Sequence, residues 1–520
     1  MWVYSVLVVL LCVTLRTGLC ARETDDFDPY PNKKASNRPI DEIKEEQEIE
    51  YWRKTAINVV NDRLSVKVNT NTAKNVILFL GDGMSIPTIA AARVYLGGEE
   101  KQLAFDKFPY TALSKTYCVD HQVPDSACSA TAYLCGVKGN LGTVGVGPAV
   151  PKQNCTLMTN IDNHVDSIAR LFQLKGKKSG LVTTTRVTHA SPAGVYAHTS
   201  TRQWESDSKI LEYDEDPSVC RDIAYQLVYG DTGQNLNVVL GGGRQMFLPK
   251  EIVDEEGEPG HRSDHISLIE EWKKMKTERK QAYQYIWNRT DLLYNVKNET
   301  DYLLGLFASS HMPYNLDRDE EKQPSLAEMT EAAINVLQKG NEGFFLFVEG
   351  GHIDLAHHES FARKALDETL EFSKAIEKAI EMTNDRDTLI VVTADHAHTM
   401  SVSGHGERGS DIFGYAGVGS DDIPYPILNY ANGPGYKPLN KDGKRYVPSI
   451  DEMRHSDFRM PSNAPLLFET HGADDVPIYA RGPMAHLYRG VMEENVIPHI
   501  MAVASCVSND INCDEINKLA

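Results

Sequence analysis

Three short runs of uninterrupted apolar residues constrain this chain most: Val76-Ile77-Leu78-Phe79-Leu80, Phe344-Phe345-Leu346-Phe347-Val348 and Leu389-Ile390-Val391-Val392. Runs of this length, bounded by polar residues, read as strands buried on both faces, the kind found in parallel sheets covered by helices. Acids and imidazoles follow each run. Asp82 lies within Gly81-Asp82-Gly83, Glu349 precedes His352, Asp354, His357 and His358, and Asp395-His396 closes the third. Open α/β sheets gather their ligands beyond the carboxyl ends of their strands. Carboxylates and imidazoles delivered there from separate strands are what a divalent-metal centre needs. The expected fold is α/β: a three-layer α/β/α sandwich around a large, mostly parallel central sheet, carrying a metalloenzyme site.

The rest of the chain is read around that sheet. Gly180-Leu181-Val182-Thr183-Thr184 and Val238-Val239-Leu240 are two further strands, and helices follow Ser126 and Ser325. From Asp41 to about Arg63 the acidic stretch around Tyr51-Trp52 predicts one or two helices. The charged stretch 250–305 reads as a helical insertion on the surface. Residues about 404–468, rich in Gly, Pro, Tyr and Asp with no helical period, read as a surface insertion. Phe468-Glu469-Thr470-His471 is expected to return to the sheet. One domain over 41–520 is favoured, with no internal repeat.

A net charge of −20 argues against nucleic acid or an anionic membrane as the main partner. It does not argue against a phosphate substrate, because bound divalent ions dominate the field inside a pocket. Residues 1–20 read as a secretion signal: Val3 to Leu15 is a short apolar core, with Gly18 and Cys20 before a cut ahead of Ala21. No basic residue precedes that core, and Arg16 follows it. Residues 21–40 read as a flexible arm. No later segment has the ~20 apolar residues of a membrane span, and the polar end Asp514-Glu515-Ile516-Asn517-Lys518 offers no lipid-anchor tail. The expected location is extracellular, with cell-surface attachment through a partner left open. Asn154, Asn288 and Asn298 each open a glycosylation triplet, which fits that route. Of nine cysteines, Cys12 and Cys20 leave with the signal. Cys506 and Cys513 are close enough to close a terminal loop; spacing alone does not pair the rest.

Asp354 and His358 are four apart, so on a helix they share a face and can chelate one ion. Asp395 and His396 are adjacent and can act together only where the backbone turns after Thr393. Ser126 follows Asp125 at the start of a helix. Serine there is ordinarily an N-cap, yet a helix N-terminus also favours an alkoxide and an arriving phosphate. Beside a metal set, Ser126 is a nucleophile candidate.

These residues fall in segments that resemble the eukaryotic alkaline phosphatase family, closest to the animal, insect-like pattern. They are Gly81-Asp82-Gly83-Met84, Val123-Pro124-Asp125-Ser126-Ala127, Thr185 to Gly194, Phe347-Val348-Glu349-Gly350-Gly351, Thr393-Ala394-Asp395-His396 and Glu469-Thr470-His471-Gly472. The resemblance covers roughly residues 40–515. It implies hydrolysis of phosphate monoesters of broad class at alkaline pH through a phosphoserine, with two zinc ions and one magnesium per subunit, in a homodimer whose N-terminal helix embraces the partner. By the same resemblance Asp354, His358 and His471 hold one zinc. Asp82, Asp395, His396 and the Ser126 oxygen hold the other. Magnesium takes Asp82, Ser191 and Glu349, with His189 nearby, and Arg202 binds the phosphate.

Family disulfides map onto Cys155–Cys220 and Cys506–Cys513, and Cys135 onto a free buried cysteine. Cys118 and Cys128 have no counterpart in the mammalian pattern, and their joint presence suggests a third bridge beside the nucleophile. Ala308 stands where mammalian members carry a calcium-binding glutamate, and Asp319 alone does not establish calcium binding. His352 and Leu355 also depart from the mammalian residues at their places. Two rival readings stay open: a related phosphodiesterase or sulfatase, and a catalytically silent surface receptor that kept the fold. Ser126 together with Ser191 and Glu349 favours the monoesterase over the first. The complete ligand set weighs against the second.

Overall fold

The computed structural model describes residues 44–508. The expected signal, the arm and Cys513 lie outside the described residues. Ten strands form one sheet: β1 (Asn75–Gly81), β2 (Tyr110–Lys115), β3 (Lys178–Arg186), β4 (Val238–Gly242), β5 (Tyr283–Ile286), β6 (Tyr302–Leu306), β7 (Phe344–Gly350), β8 (Thr388–Thr393), β9 (Val476–Arg481) and β10 (Gly490–Glu493). Their spatial order is β10-β2-β9-β8-β1-β7-β3-β4-β6-β5. Every pairing is parallel except those of β9, which runs against both β2 and β8.

The apolar runs form the centre of this sheet, and their alternation explains the layers. Val76, Leu78, Leu80, Phe345, Phe347, Leu389 and Val391 face one core. Their neighbours Ile77, Phe79, Phe344, Leu346, Val348, Ile390 and Val392 face a second core across the sheet. Successive side chains of a strand point to opposite faces, so a run apolar at every position needs helices on both. The first face is covered by the helices Ser126–Cys135, Ile168–Leu174 and Val496–Ala504, and the second by Ile86–Leu96, Leu326–Leu337 and Ala362–Met382. The Leu326–Leu337 helix opens on a reciprocal cap, with the Ser325 hydroxyl accepting from Glu328 N–H and the Glu328 carboxylate from Ser325 N–H.

Two expectations are corrected. The stretch 250–305 is not a helical insertion: the α-helix Leu268–Glu278 is followed by β5, a single π-helical turn at Asp291–Asn295, and β6 from Tyr302. The charged helix masks two short strands, β5 at the sheet edge and its inner neighbour β6, Tyr-Leu-Leu-Gly-Leu. The return after Phe468 also differs. His471-Gly472 pairs with Ala397-His398 in a separate two-stranded ribbon, and the chain rejoins the main sheet only at β9. Residues 404–468 add no strand to the main sheet. They form a hairpin, Tyr415–Val418 with Pro424–Pro426, and two strands of a small sheet completed by Met400–Val402. The helix Ile49–Ser65 buries none of its residues and exposes Ile49, Trp52, Ile57 and Leu64.

Glu368, on the long Ala362–Met382 helix, is 5% exposed, and its carboxylate accepts Asn315 N–H at 2.6 Å. Burial pushes its pKa from 4.5 up to about 8, opposed by that hydrogen bond and then aided by the neighbouring Asp367 and Glu371, with Arg318 a smaller lowering influence. The unfolded chain thus ionises near 4.5 and the native one near 8. The contribution of this position is fully present below about 4.5, declines as pH rises, and is lost above about 8. Glu368→Gln keeps the amide-accepting oxygen without the charge. Its melting temperature will exceed that of wild type by a gap that widens between pH 5 and 8, reaching about 2 °C or more. A gap that narrows over that range in thermal scans refutes the assignment.

Candidate metal centre

The carboxyl ends of β1, β7 and β8 deliver Asp82, Glu349 and Asp395 into one buried cavity, each with no exposed surface. Gly83 has φ +69°, and a Cβ there would sit 2.4 Å from the His398 ring, so the turn presenting Asp82 requires glycine. Asp395 Oδ1 accepts Gly83 N–H and His396 N–H, both at 3.0 Å. Its Oδ2 lies 3.2 Å from His396 Nε2, which is 3.5 Å from Asp82 Oδ1 and 3.3 Å from Ser126 Oγ. The backbone does turn after Thr393, bringing Asp395 and His396 to one point.

A second cluster forms around Asp354 on the short helix His352–His358. Its Oδ1 is 3.3 Å from His358 Nε2, 3.3 Å from His471 Nε2 and 2.7 Å from His398 Nε2. A third groups Asp82, His189 and Glu349. Here Ser191 Oγ donates to Asp82 Oδ2 at 3.3 Å, and one Glu349 oxygen accepts from Thr183 and Thr185. All ten residues singled out in the sequence for metal, and Arg202, come together around this cavity.

The donors fit cations. Asp82 Oδ1, Glu349 Oε1, Asp395 Oδ2, His189 Nδ1 and His396 Nδ1 are buried and make no hydrogen bond; such atoms are costly unless something fills the space between them. Burial, then Asp395, Asp354 and Glu349, raises the Asp82 pKa well above the carboxylate range. Burial likewise lifts Glu349 to about 7 and Asp395 to about 6. Clustered acids in a dry pocket behave this way until positive charge is placed among them. Meanwhile His358 and His471 bind main-chain oxygens through Nδ1, those of Glu469 at 2.6 Å and Pro124 at 2.8 Å, leaving Nε2 aimed inward.

Ser126 is the first residue of its helix rather than its cap. Asp125 takes the N-cap role, accepting Cys128 N–H at 3.3 Å, which leaves the Ser126 hydroxyl free to face His396. Arg202 donates to Asp125 Oδ2 at 3.1 Å and reaches His189 Nε2 at 2.9 Å. Cys118 and Cys128 are disulfide-bonded beside this helix, as are Cys155 and Cys220. Cys506 is also disulfide-bonded; its expected partner Cys513 lies outside the described residues. Cys135 is a free thiol. Of the three glycosylation asparagines, Asn298 is exposed. Asn154 caps the helix Cys155–Met158, and Asn288 bonds Asp291 through both side-chain atoms.

Sequence reasoning missed His398 and Glu469 as site residues. His398 bridges Glu469 Oε2 at 2.5 Å and Asp354. Burial lowers its pKa, but Glu469 and Asp354 outweigh that and raise it to about 10. The signal was its place two residues beyond His396, on a strand too short to recognise. His357 is no ligand, because Thr88 and Tyr430 occupy its two nitrogens.

Fold and site together define a class: a hydrolytic metalloenzyme with its metal cradle at the carboxyl end of a doubly covered sheet. Comparison narrows it. The family model described as Alkaline phosphatase matches residues 73–507. The chain is 45% identical to the membrane-bound alkaline phosphatase of Bombyx mori, over 89% of this chain and 86% of that one. It is 47% identical to the mouse tissue-nonspecific isozyme, over 90% and 91%. The alkaline phosphatase of Thermus thermophilus shares the fold with TM-score 0.60 at 22% identity, over 87% of this chain and 97% of that one. The chain belongs to the alkaline phosphatase family, among its animal members. It hydrolyses phosphate monoesters and depends on metal ions to do so.

Proposed function

We propose that Ser126 is the nucleophile and that the three clusters around it seat two zinc ions and one magnesium. The observation that carries this reading is the position of Ser126 Oγ, 3.3 Å from His396 Nε2, where unpartnered oxygens of Asp82 and Asp395 converge. Asp354, His358 and His471 would hold one zinc, and Asp82, Asp395 and His396 with Ser126 Oγ the other. The oxygen-rich set of Asp82, Ser191 and Glu349, with His189 beside it, suits magnesium. When bound, these cations would favour ionisation of the serine hydroxyl and neutralise charge on the departing alcohol oxygen.

The chain's own groups do the rest. Ser126 Oγ attacks phosphorus in line, forming the Oγ–P bond as the ester P–O bond breaks, and water later cleaves the phosphoserine to free phosphate and serine. The helix N-terminus at Ser126 places unbonded amides toward the arriving anion. Arg202, oriented by Asp125, offers its planar fork to two non-bridging oxygens. His398, held by Glu469, fixes Asp354. Because recognition centres on the phosphoryl group, the alcohol is loosely specified. Arg202→Ala will lower kcat/KM for an aryl phosphate by about 10- to 100-fold, chiefly through KM, as loss of a charge-assisted pair predicts. An unchanged kcat/KM in steady-state assays removes Arg202 from the substrate site.

The exposed apolar face of the Ile49–Ser65 helix supports a homodimer in which a second copy covers it. The disulfides and the N-terminal apolar core support an extracellular location. Among the described residues no helix is long and apolar enough to cross a membrane.

A further inference from the structure

A basic groove lies at the pole of the sheet opposite the metal centre. Four segments meet there, carrying Lys67, Lys107, Arg386 and Arg481 around a concavity of about 430 Å³. Asp385 and Arg386 immediately precede β8, whose far end delivers Asp395 and His396 roughly 20 Å away by strand rise. Among the described residues Asp385 is the one carboxylate lining the groove, and it pairs with Arg481 at 3.0 Å. Among the described residues Lys67, Lys107 and Arg386 make no ion pair. The groove is nevertheless built. Asn69 Nδ2 donates to Asp385 O at 2.7 Å and Asn71 Nδ2 to Arg386 O at 3.0 Å, fastening the loop that carries Arg386 to the segment that carries Lys67.

Four cations against one carboxylate are anomalous on a chain of net charge −20. Like charges lining one concavity repel, and an anion spanning them relieves the repulsion. The arginine forks match the oxygens of a sulfate or phosphate ester. Pro109 and Tyr110 also line it and bring apolar surface that suits the carbon face of a sugar ring. A bilayer reaches what protrudes, whereas these cations line a recess. A phosphate-ester ligand would be exposed to the enzyme's own hydrolytic activity.

We propose that this groove binds a sulfated polysaccharide chain, docking the enzyme with its metal centre facing away from the anchoring glycan. The test uses the full-length, metal-loaded enzyme, with a heparin octasaccharide as probe in titration calorimetry at physiological ionic strength. Wild type is expected to bind, weakening as salt is raised. Lys67→Glu with Arg386→Glu is expected to raise Kd at least tenfold and leave aryl phosphate turnover unchanged. Lys441→Glu with Lys444→Glu makes the same charge change on the 404–468 insertion and is expected to leave Kd within twofold. Absence of wild-type binding, or equal weakening in both double variants, overturns the proposal. So does binding to phosphatidylserine vesicles without binding to heparin.

Discussion

Replacing Ser126 with alanine will cut kcat for an aryl phosphate by about 10⁴-fold or more, the scale on which removing a nucleophile acts in other enzymes. The fold will not change. The hydroxyl makes no cap, since Asp125 holds that position, and among the described residues it bonds His396 Nε2 at 3.3 Å. Loss of the oxygen therefore costs chemistry and little stability. Unfolding free energies of variant and wild type should agree within about 0.5 kcal/mol. Radiolabelled phosphate trapped on the protein by acid quench will be present in wild type and absent in the variant. Covalent label persisting in Ser126→Ala would place the nucleophile elsewhere.

Chelation will have the second large effect, in two readouts at once. Activity will fall to background, and the melting temperature will fall with it, because Asp82, Glu349, Asp354 and Asp395 lose the positive charge between them. Ligand binding to the native state alone stabilises by about 4 kcal/mol at a thousandfold excess over Kd. Losing several such ions is correspondingly severe. Zinc with magnesium will restore both readouts, and equilibrium dialysis will give two zinc and one magnesium per chain. Full activity after exhaustive chelation, verified by elemental analysis, would falsify the metal assignment.

How much of this was legible in the sequence depended on run length and distance. The centre of the sheet was readable because β1, β7 and β8 each carry four or five consecutive buried apolar residues, a pattern that only a doubly covered strand tolerates. β5 and β6 were not, because both are short, β5 at the sheet edge and β6 beside it, and a charged helix precedes them. Asp354 with His358 was legible as a pair four residues apart. His398 was not: its role depends on Glu469, 71 residues later, and no local spacing encodes that contact. The Ser126 cap was resolved only by geometry, since Asp125 and Ser126 are both capping residues and one outcompetes the other. The basic groove was invisible for the same reason as His398, its cations being drawn from 67, 107, 386 and 481.

The hydrogen bond from His471 to the carbonyl of Pro124 spans 347 residues and fastens the last imidazole of the site to the segment just before the nucleophile. Its consequence is one of timing. A nascent polypeptide stalled between β8 and position 471 has every strand from β1 to β8, yet lacks the latch that seats Pro124-Asp125-Ser126. Turnover thus waits until His471 has been made and seated against Pro124.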